Sequence, residues 1–423
     1  MNLWSSFSPT SNDQWREKIQ KDLKGNTIDS INWETPYGTI DPTLEVSNKL
    51  YLNEPAKLNE LSWKFDSNNC DNKNILSHLK NGINAINIYN QPLNDSLFDN
   101  VMNEIIFNNI HLNNTVSSNE ISNWLNWMNI NMNANGSLRT DPIGEAIEKS
   151  LLANEKINAN IIKIINSKLV NKKYNCIYVN GEKYGNLFSD QSTELTYLIA
   201  HLNETIELYK SLDIPIPTKL VIKTSISADF IQETSKLRAL RALVIQIFEI
   251  HKLDINIQIE CSYKESLLSP IDQENNILRI TTAFISAIVS GVNSIELYDS
   301  LCIKKGDYWK KMITNVPIIL IEESQLNVQQ DVIDGSHVIE QASYKMAHHS
   351  WSLFKEIEEM GGLISYAQKG KLNETVLSQQ SEKLNDLKNS ERKVIGFNFF
   401  NENINEIDFT KSNNIPFKLK DFI

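Results

Sequence analysis

Short apolar runs rich in Ile and Val recur along the chain, at Ile83–Tyr89, Cys176–Val179, Leu220–Ser225, Ile255–Glu260, Ser294–Tyr298 and Ile318–Glu322. Their brevity and β-branched content are those of strands buried on both faces. Longer segments between them follow a helical period. Glu194–Leu212 brings Leu195, Leu198, Ile199, Leu202, Ile206 and Leu208 close to one face. Glu233–His251, through KLRALRALVIQIF, is apolar over most of its surface. Gln341–Met360 runs into Gly361–Gly362, and glycine supplies the left-handed cap that ends a helix. Strands alternating with helices of this length predict parallel βαβ units. So many in one chain favour a (β/α)8 TIM barrel, an α/β fold, over a short open sheet.

Two flanks depart from the alternation. Residues 1–60 carry Trp15 and Trp33 among Pro9, Pro36, Pro42 and Pro55, and predict an extended N-terminal arm. Residues 61–366 hold the alternating pattern. Residues 367–423 open with a polar amphipathic helix and continue into the apolar run Val394–Phe400, a short helical tail with a closing segment. Asn, Ile and Lys are abundant throughout, which has the look of coding bias, so apolar periodicity is a firmer guide here than turn residues.

Composition narrows the class. With 423 residues, 41% hydrophobic and 22% charged, the chain can bury a large core and is expected to fold as a soluble protein. The net charge of -11 is dispersed, and no block of Lys/Arg could neutralise a run of phosphates, which argues against nucleic acid as a partner. Acidity still permits a CoA ester held by a few local basic groups. Cys70, Cys176, Cys261 and Cys302 form no CxxC pair, so no zinc or redox motif is indicated, and reduced thiols are expected. The first residues lack a basic and apolar leader pattern, and no stretch approaches about 18 apolar residues. No membrane span is expected, and the cytoplasm is the expected compartment.

Five blocks then carry a resemblance. They are Trp15 followed by Lys21-Asp22-Leu23-Lys24-Gly25 and Trp33-Glu34-Thr35-Pro36-Tyr37-Gly38; Lys236-Leu237-Arg238-Ala239-Leu240-Arg241; Arg279-Ile280-Thr281-Thr282 with Ala283, Ala287 and Gly291; Leu320-Ile321-Glu322-Glu323-Ser324 leading to Asp334-Gly335-Ser336 and Glu356-Ile357-Glu358-Glu359-Met360-Gly361-Gly362; and Arg392-Lys393-Val394-Ile395-Gly396-Phe397-Asn398. In this order they resemble the methylmalonyl-CoA mutase family: its W…KDLKG…W-x-T-x-x-G opening, KxRALR helix, RTT segment, ILxEES…DPxGGS…EIExxGG block and RKxxIVGxN strand. The fourth block, ILxEES…DPxGGS…EIExxGG, is the most specific.

The departures point to the family's small, non-catalytic subunit, reduced to its barrel. The family's cobalamin domain carries a D-x-H-x-x-G motif, and none of His78, His111, His201, His251, His337, His348 or His349 stands in one. The chain is expected to end before such a domain. The tyrosine-bearing Y-A-G-F-S-T-A-E stretch of catalytic subunits has no counterpart around Pro55–Asn69. Lys183 stands near the position of their substrate-orienting histidine, and Arg139 where T-I-Q-N-D supplies a glutamine. Asp141-Pro142-Ile143-Gly144 is the small-subunit version of that stretch.

The resemblance therefore implies no catalytic, cofactor-binding or metal-binding residue on this chain. It implies adenosylcobalamin held by a homologous large catalytic subunit in a heterodimer of propionate metabolism. That partner would interconvert methylmalonyl-CoA and succinyl-CoA, this chain being inactive alone and not an acyl-CoA binder. Two alternatives stay open: a barrel that is itself catalytic with a separate cobalamin-domain protein, and a stand-alone CoA-binding or chaperone-like module. Small or polar inward side chains would leave a channel along the barrel, and bulky ones would plug it. The arm, with its Trp residues, is expected either to cover the partner or to fold back on its own barrel.

Other residues invite chemistry less well. If Glu322 and Glu323 end a strand, they point to opposite faces and cannot share a site, and Glu358-Glu359 reads as a solvated helix face. His348 and His349 are adjacent on a helix, about 100° apart, which is poor chelating geometry. Asp334-Gly335-Ser336 reads as an N-capping turn, with no base paired to the serine.

Overall fold

The computed structural model describes residues 8, 10–43, 50, 56–89, 99–116, 124–126, 135–150, 160–168, 173–187, 190–269, 272–300, 306–328 and 331–400. The described helices are α1 (Asn12–Asp22), α2 (Asn72–Lys80), α3 (Pro142–Ser150), α4 (Asn160–Lys168), α5 (Glu182–Leu187), α6 (Gln191–Ser211), α7 (Phe230–His251), α8 (Asn276–Val289), α9 (Asp307–Ile318), α10 (His337–Glu359), α11 (Gly362–Gln368) and α12 (Lys371–Lys388). The strands are β1 (Glu60–Asp66), β2 (Ala85–Tyr89), β3 (His111–Thr115), β4 (Asn135–Arg139), β5 (Ile177–Asn180), β6 (Lys219–Ile226), β7 (Asn256–Tyr263) and β8 (Ser294–Leu297).

All eight pair in parallel in the order β4-β3-β2-β1-β8-β7-β6-β5. Leu138 bridges to Asn175 just ahead of β5, its N–H donating to the Tyr174 carbonyl at 2.9 Å, which brings the two edge strands together. The result is a nearly closed (β/α)8 barrel, as the alternation predicts. Local chemistry sets the helix starts: Asp190 accepts from the Thr193 N–H at α6, and Asp229 from that of Gln232 at α7. The apolar core lies between strands and helices, with Ile86, Leu112, Leu198, Leu220, Ile222, Leu240 and Phe284 all buried.

Ile318–Glu322 is a correction: it is no strand. α9 runs through it into one π-helical turn, Ile319–Glu323. Ile313, Val316, Pro317 and Leu320 are buried at helical spacing, so the apolar run is one stripe of a helix and not a two-faced strand. Conversely, β1, β3 and β4 were not visible as apolar runs. Asn and Ser occupy the inward positions of β3 and β4, which removes the hydrophobic signal from one face. The Val394–Phe400 segment is a tight turn with a single Ile395 to Phe399 bridge, held by Asn398, and does not form the strand suggested by the resemblance.

The described part of the arm lies on its own barrel. Trp33 and Ile40 form an antiparallel bridge around a turn at Gly38, whose φ of +109° favours glycine. Tyr37 is buried and donates to Gln232 of α7 at 2.6 Å. Gln341 of α10 accepts from the Asp41 N–H at 3.0 Å and donates to the Asp41 carbonyl at 2.6 Å. Lys345 donates to the Thr39 carbonyl, and the Trp15 ring sits 5.9 Å from that of His337. Residues 44–49, 51–55 and 401–423 lie outside the described residues.

Candidate functional site

In (β/α)8 proteins ligands meet the barrel at the C-terminal ends of its strands. Here that region and the axis beneath it are filled with charge. Strand alternation turns Glu60, Ser62 and Lys64 of β1 inward, with Asn87 of β2, Asn113 of β3, Ser137 and Arg139 of β4, Lys223 of β6, Glu260 and Ser262 of β7, and Ser294 and Glu296 of β8. Register places Asn180, Lys223, Glu260, Ser294 and Glu60 side by side across β5, β6, β7, β8 and β1.

Most of these side chains satisfy one another across the axis, although the Ser62 hydroxyl has no hydrogen-bond partner. Arg139 makes a bidentate pair with Glu260, at 2.9 and 2.8 Å, and its Nε donates to Ser137 at 2.9 Å. Ser137 donates to Asn113 at 2.7 Å, and Asn113 donates to Glu60. Lys223 pairs with Glu296, which also accepts from Asn87. Burial alone would lower the Arg139 and Lys223 pKa values, but the facing carboxylates, Glu260 for the first and Glu182 and Glu296 for the second, hold both above their ordinary values. Tyr178 packs with Cys176 and Val221 as a small apolar layer in the same interior.

Glu182, at the start of α5, closes the mouth. It lies 2.8 Å from Lys223 and 3.9 Å from Lys64, and accepts from Ser262 at 3.0 Å, tying β1, β6 and β7. Burial would raise its pKa, but Lys223 and Lys64 outweigh that and hold it at about 2. The stabilisation linked to this depressed value is complete above the ordinary carboxylate range and is lost as pH falls through about 2. Glu182→Gln is therefore expected to flatten the loss of stability between about pH 5 and pH 2, measured by urea unfolding midpoints across that range.

A second buried cage stands beside the mouth. Lys236 contacts Glu233 at 2.7 Å and Glu194 at 3.0 Å, and donates to the Ser225 carbonyl at 2.7 Å. Lys264 meets Glu194 at 2.8 Å. In the same KLRALR block, Arg238 joins α7 to Asp331 and to Glu340 of α10, and Arg241 donates to the Gly291 carbonyl at 2.6 Å. The motif thus braces the barrel wall.

The other candidates are scattered. Lys183 is half-buried next to Glu182, and it is Glu182, not Lys183, that occupies the barrel mouth. Glu322 and Glu323 are exposed on the π-helical turn, which replaces the strand-end geometry expected of them. Glu359 is exposed and Glu358 half-buried on α10. His348 is exposed, its ring against Tyr344, and His349 is half-buried one position on. Ser336 is the N-cap residue of α10 by backbone, without a hydroxyl cap bond. Cys70, Cys176 and Cys261 are free thiols, burial pushing that of Cys70 up to about 12, while Cys302 lies outside the described residues. Among the described residues no His/Cys/Asp/Glu group is arranged to hold a metal ion.

The axial network escaped the sequence reading although it left a trace: one charged residue interrupts each of several strand runs, as in LVIKTS, IQIEC and SIELY.

Residues 129–419, more than half of the chain, match the family model described as methylmalonyl-CoA mutase. The methylmalonyl-CoA mutase small subunit of Porphyromonas gingivalis is 21% identical over 94% of this chain and 71% of that protein. That of Propionibacterium freudenreichii subsp. shermanii is 27% identical over 37% of this chain and 24% of its own length. The methylmalonyl-CoA mutase of Rhizobium meliloti is 24% identical over 57% of this chain. The matched part spans about a third of the length of this last protein, at 35%, and 30% of the Cereibacter sphaeroides mutase.

Proposed function

The chain belongs to the methylmalonyl-CoA mutase family, and from that premise we propose that it is a small, non-catalytic subunit that assembles with a homologous large subunit and supports its interconversion of methylmalonyl-CoA and succinyl-CoA. The observation that carries this reading is the filled axis. A thioester chain threading the barrel would have to displace Arg139–Glu260 and Lys223–Glu296, leaving buried charges without partners at a cost of several kcal/mol each.

The residues present also do not fit a corrinoid held through an imidazole. His78 is stacked on Trp63 at 3.9 Å, His201 sits between Asp141 at 2.8 Å and Tyr184 at 3.2 Å, and His251 contacts Asn203 at 2.7 Å. His111 faces Glu60 at the opposite end of the strands from the mouth, and His337, His348 and His349 lie along α10. The adenosylcobalamin of the complex is accordingly assigned to the partner. Among the described residues no helix is long and apolar enough to cross a membrane. Such an obligate interface would bury on the order of 2,000 Å² or more.

The test is purification of the chain alone and with a large mutase subunit, followed by isomerase assay with adenosylcobalamin. The chain alone is expected to show no turnover and no stoichiometric corrin absorbance, and the pair to co-elute and turn over. Turnover by this chain with a separate cobalamin-domain protein would overturn the assignment.

A further inference from the structure

A cavity of about 280 Å³ opens beside the C-terminal ends of β6 and β7, lined by Ser227, Ala228 and Asp229 after β6, Ser266 after β7, Arg279 of α8, Lys383 and Leu387 of α12, and the segment Arg392–Ile395. Four cationic side chains from three stretches of sequence face one carboxylate in this lining, in a chain whose net charge is -11. The cavity also sits at the N-terminus of α7, a 22-residue helix, which adds positive potential.

Two of the four cations, Lys383 and Arg279, are built in. Lys383 is only 7% exposed on the buried side of α12. Arg279 donates to the Ile395 carbonyl at 2.6 Å and to Asn276 at 2.7 Å, fixing both its own guanidinium and the segment that carries Arg392 and Lys393. Asn398 ties that segment to the end of α12 by donating to the Leu387 and Arg392 carbonyls, each at 2.7 Å. Lys393 lies 4.9 Å over the Phe399 ring. Asp229 is already engaged as the α7 cap through the Gln232 N–H.

From this convergence we infer that the cavity is a binding site for a phosphoryl group, either inorganic phosphate or the phosphate of a small organic ester. An oxyanion there meets ammonium and guanidinium donors from several sides, the arrangement that makes charge-assisted hydrogen bonds strong. The volume falls just below the roughly 300–1,000 Å³ of pockets for drug-sized ligands, so the cavity takes a phosphoryl group with a small remainder and not an entire nucleotide. Burial, then the neighbouring Arg392 and Lys264, hold the Lys383 pKa well below its ordinary value. This inference does not rest on the mutase assignment.

The test is isothermal titration of the full chain at low ionic strength with inorganic phosphate, pyrophosphate and glycerol 3-phosphate. Saturable binding of at least one is expected, and the tightest of the three identifies the source. Affinity is expected to fall roughly tenfold or more in Lys383→Met, and in Arg392→Gln at the exposed rim. Lys383→Met is expected to keep its fold, since methionine fills most of the volume of the lysine stem. Absence of binding by all three probes, or unchanged affinity in both variants, overturns the proposal.

Discussion

Replacing Arg139 by Met is expected to destabilise the protein by about 3–5 kcal/mol, the cost of leaving one member of a buried ion pair alone. Glu260, 1% exposed, would lose both guanidinium bonds and keep Ser294 at 3.4 Å, with Lys223 beside it in register. Its other near charges, Glu296 and Glu60, are of the same sign, and burial already pushes its pKa up. The unpaired carboxylate would have to take up a proton on folding, so the loss should grow as pH rises. Arg139→Met combined with Glu260→Gln is expected to recover most of the stability, since the buried charge goes with its partner. Urea unfolding of the wild type and of the single and double variants at two pH values measures this. A single variant as stable as the wild type would mean that the axis is open to water and the pair is not confining the barrel.

Gly136→Ala is expected to be more damaging still, above about 4 kcal/mol, in the range reserved for a defined structural failure. Gly136 stands at φ +149° directly opposite Leu112 in the β3–β4 ladder, and a Cβ there would lie 1.8 Å from the Leu112 carbonyl oxygen and 2.6 Å from its carbon. These are backbone atoms, so no rotamer change relieves the clash; β3 and β4 must separate. Separation would carry Ser137 and Arg139 off the axis and break the Leu138 to Asn175 bridge that brings the edge strands together. Soluble yield and near-ultraviolet circular dichroism are expected to collapse. Gly38→Ala is the control: its φ of +109° carries strain, but no atom lies within 4 Å of the added carbon, so the cost should stay at about 1–3 kcal/mol. Equal stability of the two variants would show that strand contact at Gly136 is not what matters.

Much of the architecture was legible because it is written in local periodicity. β2, β5, β6, β7 and β8 are apolar toward the helices and short, and α6, α7 and α10 end at or near the boundaries their patterns suggest, so the alternating βα order followed from the sequence alone. The failures share one cause. β3 and β4 face a polar interior on one side, so half of their positions give no apolar signal. Ile318–Glu322 is apolar because a helix stripe lies against the barrel, and a run that short cannot distinguish a strand from a helix. The arm's placement was undecided in sequence because Tyr37 and Gln341, which fasten it, are ordinary polar residues whose partners lie 195 and 300 positions away.

By itself, the chain of residues determined the class of fold and the family. Only the tertiary structure decided that Arg139 is paired across the barrel axis, reaching Glu260 across 121 positions. It likewise decided that Arg279, Lys383 and Arg392 share one cavity. Hydrophobic periodicity is set by neighbours a few residues apart, whereas the pairing of charges is set by closure of the barrel, which brings together residues no local pattern connects.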